Sequence, residues 1–167
     1  ENIELITSSI NHLKSLGKEV HFDAEHFFDG FAANKKYAIS IVKEAMAAGA
    51  DWVVLCDTNG GCMPDQVRET IESLGEKGVD VNKLGIHAHN DTENAVANSL
   101  AAVQAGVRQI QGTLNGLGER CGNANLISLL PTLLLKPQFS EKFVTGVTPG
   151  SLKELTRVSR IMDDVLN

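Results

Sequence analysis

Apolar positions along the chain follow two alternating rhythms. Four short segments read as strands: EVHFDAE (19–25), DWVVLCDT (51–58), LGIHAHN (84–90) and VRQIQGTL (107–114). Between them apolar residues recur at helical spacing. After Asn34, a predicted N-cap, come Ala38, Ile41, Val42, Ala45 and Met46, and Gly49 ends the run. Pro64 suits a first helical position, and Val67, Ile71 and Leu74 follow at i, i+4 and i+7. From Asp91 or Thr92, the stripe Val96, Leu100, Val103 predicts another helix, closed by Gly106. Leu5, Ser9, Leu13 and Leu16 before Gly17 predict an opening helix. NLISLLPTLLL (125–135) predicts a last one, bent or broken at Pro131.

Strand and helix alternate throughout, which predicts an α/β fold with a parallel sheet. Segment 51–58 is apolar almost without a break, as suits a strand covered on both faces. The other three divide their faces. His21, Asp23 and Glu25 oppose Val20, Phe22 and Ala24; His87 and His89 oppose Ile86 and Ala88; Gln109, Gln111 and Thr113 oppose Ile110 and Leu114. One face meets helices and the other carries clustered polar groups, as in a barrel interior near its C-terminal mouth. A closed barrel needs eight units and about 250 residues. This chain has 167 residues and four units, so half a barrel and a smaller open α/β sheet both remain open.

Composition narrows the function classes. The 15 Lys and Arg against 21 Asp and Glu leave a net charge of −6 with no dense basic run. That disfavours a nucleic-acid or membrane-surface partner, since both need a basic footprint. Three cysteines (Cys56, Cys62, Cys121) form no CxxC pair, as expected of reduced thiols in a cytoplasmic protein.

The chemistry-bearing residues fall at strand ends: Glu25 and His26, then Asp57, Thr58 and Asn59, then His87, His89, Asn90 and Asp91. NGLGERCGNAN (115–125) follows the fourth strand. Each alone reads as a turn or a hydrogen-bonded histidine. Their convergence on one mouth is what points to a site. His-x-His on a strand aims both rings to the same side, as two cis ligands of one divalent metal such as zinc, manganese or iron require. A third ligand is needed, for which Asn123 and Glu25 are the candidates. Gly116, Gly118 and Gly122 miss the dinucleotide fingerprint by one residue and lack the acid-terminated strand that should follow, which excludes a nicotinamide site. A flexible closing loop and an anion or carboxylate cradle both remain open for this stretch.

HAHND, followed by ENAVANSLAAVQAGVRQIQGTLNGLGERCGNANL, resembles the signature region of the metal-dependent acyl-CoA condensing enzymes. These are the 2-isopropylmalate, homocitrate and citramalate synthases, relatives of the hydroxymethylglutaryl-CoA lyases. FDAEHFFDGF and CDTNGG look closest to the citramalate synthase branch. The resemblance runs from about residue 5 to residue 135 and implies a TIM (β/α)8 barrel. It implies that His87 and His89 bind a divalent metal (Mn, Mg or Zn), with Asn123 completing or supporting its shell. Thr58 matches the residue that holds the carboxylate of a 2-oxo acid, and Arg120 supports substrate near the metal loop. Glu25 matches an acidic catalytic residue for acid–base work or for orienting acetyl-CoA. The implied reaction is a Claisen-type condensation of acetyl-CoA with a 2-oxo acid, pyruvate first. A branched or longer oxo acid is the alternative within the family. A non-catalytic βα module that binds a metal or coenzyme A is the alternative outside it.

One departure is large. The family's first strand carries an Arg-Asp-Gly-type motif, and nothing in residues 1–18 supplies it. Residues 1–135 therefore read as the C-terminal half of the catalytic barrel, and 136–167 as a linker and the start of a helical subdomain. The expectation is an inactive fragment of an active enzyme. With two unpaired strand edges, at 19–25 and 107–114, it is also expected to self-associate.

Overall fold

The structure, a computed structural model, describes residues 1–166. Helix α1 (Asn2–Ser15) precedes β1 (His21–Ala24), α2 (Phe27–Ala33), α3 (Lys35–Ala47) and β2 (Trp52–Asp57). There follow α4 (Pro64–Glu76), β3 (Leu84–Ala88), α5 (Ala95–Gln104), β4 (Gln109–Gln111), α6 (Leu126–Leu135), α7 (Pro137–Ser140) and α8 (Leu155–Leu166). All strands are parallel, in the order β1-β2-β3-β4, so β1 and β4 are the edges. This is a run of consecutive βα units and hence a partial barrel.

Register sorts the side chains onto two faces. Ala24, Leu55, Ile86 and Ile110 are successive partners on one face, where the first three are buried under the helices. On the other, Asp23 pairs with Val54, Val54 with Gly85 and Gly85 with Gln109; one step on, Cys56 pairs with His87 and His87 with Gln111. The sheet is curved enough for its two edges to touch. Gln109 Nε2 lies 2.9 Å from His21 Nδ1, and Gln111 Nε2 donates to Asp23 Oδ1 at 3.0 Å. These bridges cover Val54, which explains an apolar residue on a polar face. They also require Gly85, where a Cβ would collide with the Gln109 carboxamide.

Most helix boundaries follow the predicted signals. Asn34 caps α3 by accepting the Tyr37 N–H at 3.1 Å, and α4 begins at Pro64 and buries Val67, Ile71 and Leu74. Three expectations need correction. Helix α5 starts at Ala95, because Asn90 Oδ1 takes the Ala95 N–H and holds residues 91–94 in a turn. Its fully buried face is Ala95, Asn98, Ser99 and Ala102, while Val96 and Leu100 are half-buried. Small residues let this helix lie close on β3. Helix α6 runs unbroken through Pro131. Strand β4 spans three residues, not the eight of its predicted segment.

Residues 136–166 pack on the barrel part through few contacts. Phe139 is buried, Arg108 sits 4.9 Å from the Phe143 ring centroid, and Asn115 Nδ2 donates to the Ser159 carbonyl at 3.0 Å. Helix α8 has no buried residue.

Candidate metal and substrate site

Strand β3 ends at Ala88, one residue short of His89, yet His87 and His89 still project to one side. Their rings stack with centroids 5.1 Å apart and planes 15° from parallel. His89 leaves the sheet to form an isolated bridge with Asn123. That bridge is built by the glycine loop. Asn90 N–H donates to the Gly122 carbonyl at 2.8 Å and Asn123 N–H to the Gly116 carbonyl at 3.0 Å. Gly122 has φ +93°, and a Cβ there would drive into the Gly116 carbonyl oxygen. The loop thus carries Asn123 to the histidines through these hydrogen bonds.

The donor set suits a divalent cation. Asn123 Nδ2 lies 3.5 Å from His87 Nε2, and Asn123 Oδ1 is buried without a hydrogen-bond partner among the described residues. A half-turn of the amide presents that oxygen to the imidazole side. Two imidazoles and one amide oxygen are ligands for zinc, manganese or a similar ion. Glu25, the other candidate third ligand, is tied elsewhere: its Oε1 accepts the Thr58 hydroxyl at 3.1 Å. Thr58 Oγ1 in turn accepts the His26 N–H at 2.8 Å, at a residue with φ +54° that starts α2. Glu25 and Thr58 therefore form one unit at the ends of β1 and β2.

Arg120 joins this unit to the histidines. Its Nε and Nη2 grip the Asp91 carboxylate at 2.7 and 2.9 Å, and Nη2 also donates to the Thr58 carbonyl at 2.7 Å. The guanidinium holds the Asp91 carboxyl below its ordinary range, and Asp91 reciprocally raises Arg120. Beneath the loop, buried Asp57 accepts the N–H groups of Gly61 and Cys62 at 3.2 and 3.3 Å and Asn98 Nδ2 at 3.3 Å. It shapes the turn that presents Thr58.

Asp23, Cys56 and His87 have ligand atoms within 4.8 Å of one another. Burial, followed by the charges of Asp23 and Glu25, pushes the Cys56 thiol far up. His87 and Asp23 are already joined through Gln111, whose Oε1 sits 2.7 Å from His87 Nδ1. The inward direction of these residues was legible in the strand alternation. Their contact across the concave face was not, since it depends on sheet curvature.

The HMGL-like family model matches residues 1–161. The chain belongs to the HMGL-like family. Over its full length this HMGL-like chain is 57% identical to the (R)-citramalate synthase of Geobacter sulfurreducens, covering 30% of that protein. It is 35% identical to the 2-isopropylmalate synthase of Methylacidiphilum infernorum, over 97% of the chain and 31% of that protein. The greater likeness to citramalate synthases agrees with the motif reading. Among solved structures, the HMG-CoA lyase of Bacillus subtilis superposes with a TM-score of 0.76 at 20% identity, covering 98% of this chain and 55% of that one. That likeness speaks to the fold alone. The chain spans under a third of the length of the curated relatives it matches.

Proposed function

We propose that this chain is the C-terminal half-barrel of an acyltransferase that condenses acetyl-CoA with pyruvate to give citramalate. Residues 1–135 would be the barrel half and 136–167 the lead into the next subdomain, in a cytoplasmic enzyme. The observation that carries the reading is the meeting of His87, His89 and Asn123 at one mouth, beside the Glu25–Thr58 pair. The 57% identity to a citramalate synthase supports pyruvate over a longer oxo acid.

In this reading His87, His89 and Asn123 hold a divalent metal, with a further ligand supplied by the other barrel half. The metal supplies Lewis-acid polarisation of the oxo acid, worth several kcal/mol of transition-state charge stabilisation. Thr58 holds the substrate carboxylate by its hydroxyl, which turns from Glu25 to the incoming anion. Glu25, released from that bond, serves in acid–base work or in orienting the thioester. Arg120 offsets carboxylate charge while Asp91 keeps its fork oriented. Each role uses a group that the turn chemistry at its strand end already immobilises.

The test is turnover by the natural-length protein with acetyl-CoA, a divalent salt and either pyruvate or 2-oxoisovalerate, following release of the coenzyme A thiol. Faster turnover of pyruvate, abolished by chelator and by His89→Ala, is the expected result. Preference for the branched oxo acid would reassign the substrate. Metal-independent turnover would overturn the reading of the histidines.

A further inference from the structure

We propose that Asp23, acting through Gln111, sets the tautomer and ring orientation of His87, making Asp23 and Gln111 positioning residues. The inference rests on the metal reading above and deepens it. Three side chains from three strands form one hydrogen-bonded row: Gln111 Nε2 to Asp23 Oδ1 at 3.0 Å, and Gln111 Oε1 to His87 Nδ1 at 2.7 Å. The polarity of this row follows from its end. An ionised carboxylate can only accept, so the Gln111 amide must turn its NH2 toward Asp23. That leaves the amide oxygen facing His87, and a carbonyl oxygen can only accept. His87 must then donate from Nδ1, and its neutral form keeps its lone pair on Nε2, the nitrogen beside Asn123. A glutamine with no such partner could flip its amide and reverse the row.

The arrangement does what an outer carboxylate does for a metal-binding histidine: it fixes the tautomer, holds the ring and raises its basicity. Here the carboxylate stands one residue further away and acts through an amide. The architecture is specific to this curvature, because Gln111 on β4 reaches Asp23 on β1 across two intervening strands. Register keeps it aligned, since Gln111 pairs directly with His87.

The experiment uses the natural-length protein, labelled with 15N at histidine, and reads two quantities. The first is the ring-nitrogen tautomer of His87 without metal, at a pH where the imidazole is neutral. The second is the equilibrium affinity for Mn2+ alone. Gln111→Met, close in shape and a far weaker acceptor, should shift His87 toward the Nε2–H form and weaken Mn2+ binding by about 10–100-fold. The double variant Asp23→Asn with Gln111→Glu keeps the charge and keeps an acceptor facing His87 Nδ1, with the bond between positions 23 and 111 now donated by the amide introduced at position 23, and should restore both readouts. Should Gln111→Met fail to fold by circular dichroism, Asp23→Asn alone should still populate the Nε2–H form. An unchanged tautomer in these single variants overturns the proposal. So does a loss in Gln111→Met that the double variant leaves uncorrected, since packing alone would then explain it. A native protein that shows the Nδ1–H form but binds no Mn2+ would sink the metal reading while leaving the row's polarity established.

Discussion

Arg120 Nη2 lies 3.0 Å from His89 Nδ1. A guanidinium has no acceptor, so the imidazole nitrogen facing it must accept. His89 is thus engaged from the side opposite in polarity to His87, whose Nδ1 donates. A neutral imidazole offers a single ring lone pair, so Arg120 and a metal ion compete for it, and His89 ligates a metal only when the guanidinium lets go. Arg120→Ala should therefore tighten Mn2+ binding by about fivefold, the ~1 kcal/mol that one screened charge a few ångströms away is worth. The same variant should raise the KM for the oxo acid in the natural-length protein. Isothermal titration with Mn2+ and steady-state kinetics separate the two effects, and weaker Mn2+ binding would count Arg120 among the groups that build the metal pocket.

Gly122 allows a sharper test of the loop. Its φ is positive, and a Cβ there would meet the Gly116 carbonyl oxygen. Gly122→Ala should cost roughly 1–3 kcal/mol in backbone strain, with the clash in addition. Because Asn123 and the His89 bridge depend on this turn, Mn2+ affinity should fall with the melting temperature. A drop in melting temperature with undiminished Mn2+ affinity would free Asn123 from the role assigned to it.

How much of this was legible in the sequence depends on distance along the chain. The alternation of His21 and Asp23, and of His87 and His89, gave their common face, because period two is a property of one strand. Asn34 and Pro64 announced their helices, because capping is local. Helix α2 was not foreseen: Phe27 and Phe28 are buried, but seven residues hold too few turns for a period to register. The late start of α5 depends on the Asn90 side chain bonding five residues ahead. In the row Asp23–Gln111–His87, Gln111 meets His87 as its register partner, but only curvature of the sheet brings Asp23, 88 residues away, to the same amide. The role of Asp57 was hidden in the same way, since Asn98 comes to this strand end from helix α5.

Acid should weaken the fold at the bottom of the sheet. Asp51 takes both oxygens to Lys14 Nζ, at 2.9 and 2.7 Å, and accepts the Val20 N–H at 2.7 Å. The Lys14 hydrogen bond, with the Val20 amide, holds its carboxyl below the ordinary 3.8. A carboxyl depressed in the folded state stabilises fully above its unfolded value, and that contribution is lost as pH falls through the folded one. Lys14→Met should therefore lower the melting temperature at neutral pH, with the gap to the native protein closing below about pH 4. Thermal melts of both proteins across that range are the check. A gap that stays constant into acid would show that Lys14 acts through packing of its methylene stem.

The last prediction concerns the exposed edges of the 167-residue chain itself. Parallel strands β1 and β4 each offer an unpaired row of backbone groups, which templates pairing with another chain. Beside β4 lies an apolar groove of about 490 Å³, lined by Val107, Ile110, Leu126, Leu130 and Leu133 among others. In a complete barrel, neighbouring strands and helices cover such surfaces; in this chain Leu135 stands well exposed at the end of α6. Two copies related by a twofold axis could place edge against edge, although the stagger must also close. The chain should therefore sediment as a dimer or larger species. Leu130→Glu, which puts a charge into the groove, should shift it toward monomer at equal helix content. A stable monomer at high concentration, with the β4 edge amides exchanging freely with solvent, would remove the hypothesis. It would mean that curvature alone, through the His21–Gln109 and Asp23–Gln111 bridges, keeps the half-barrel from pairing.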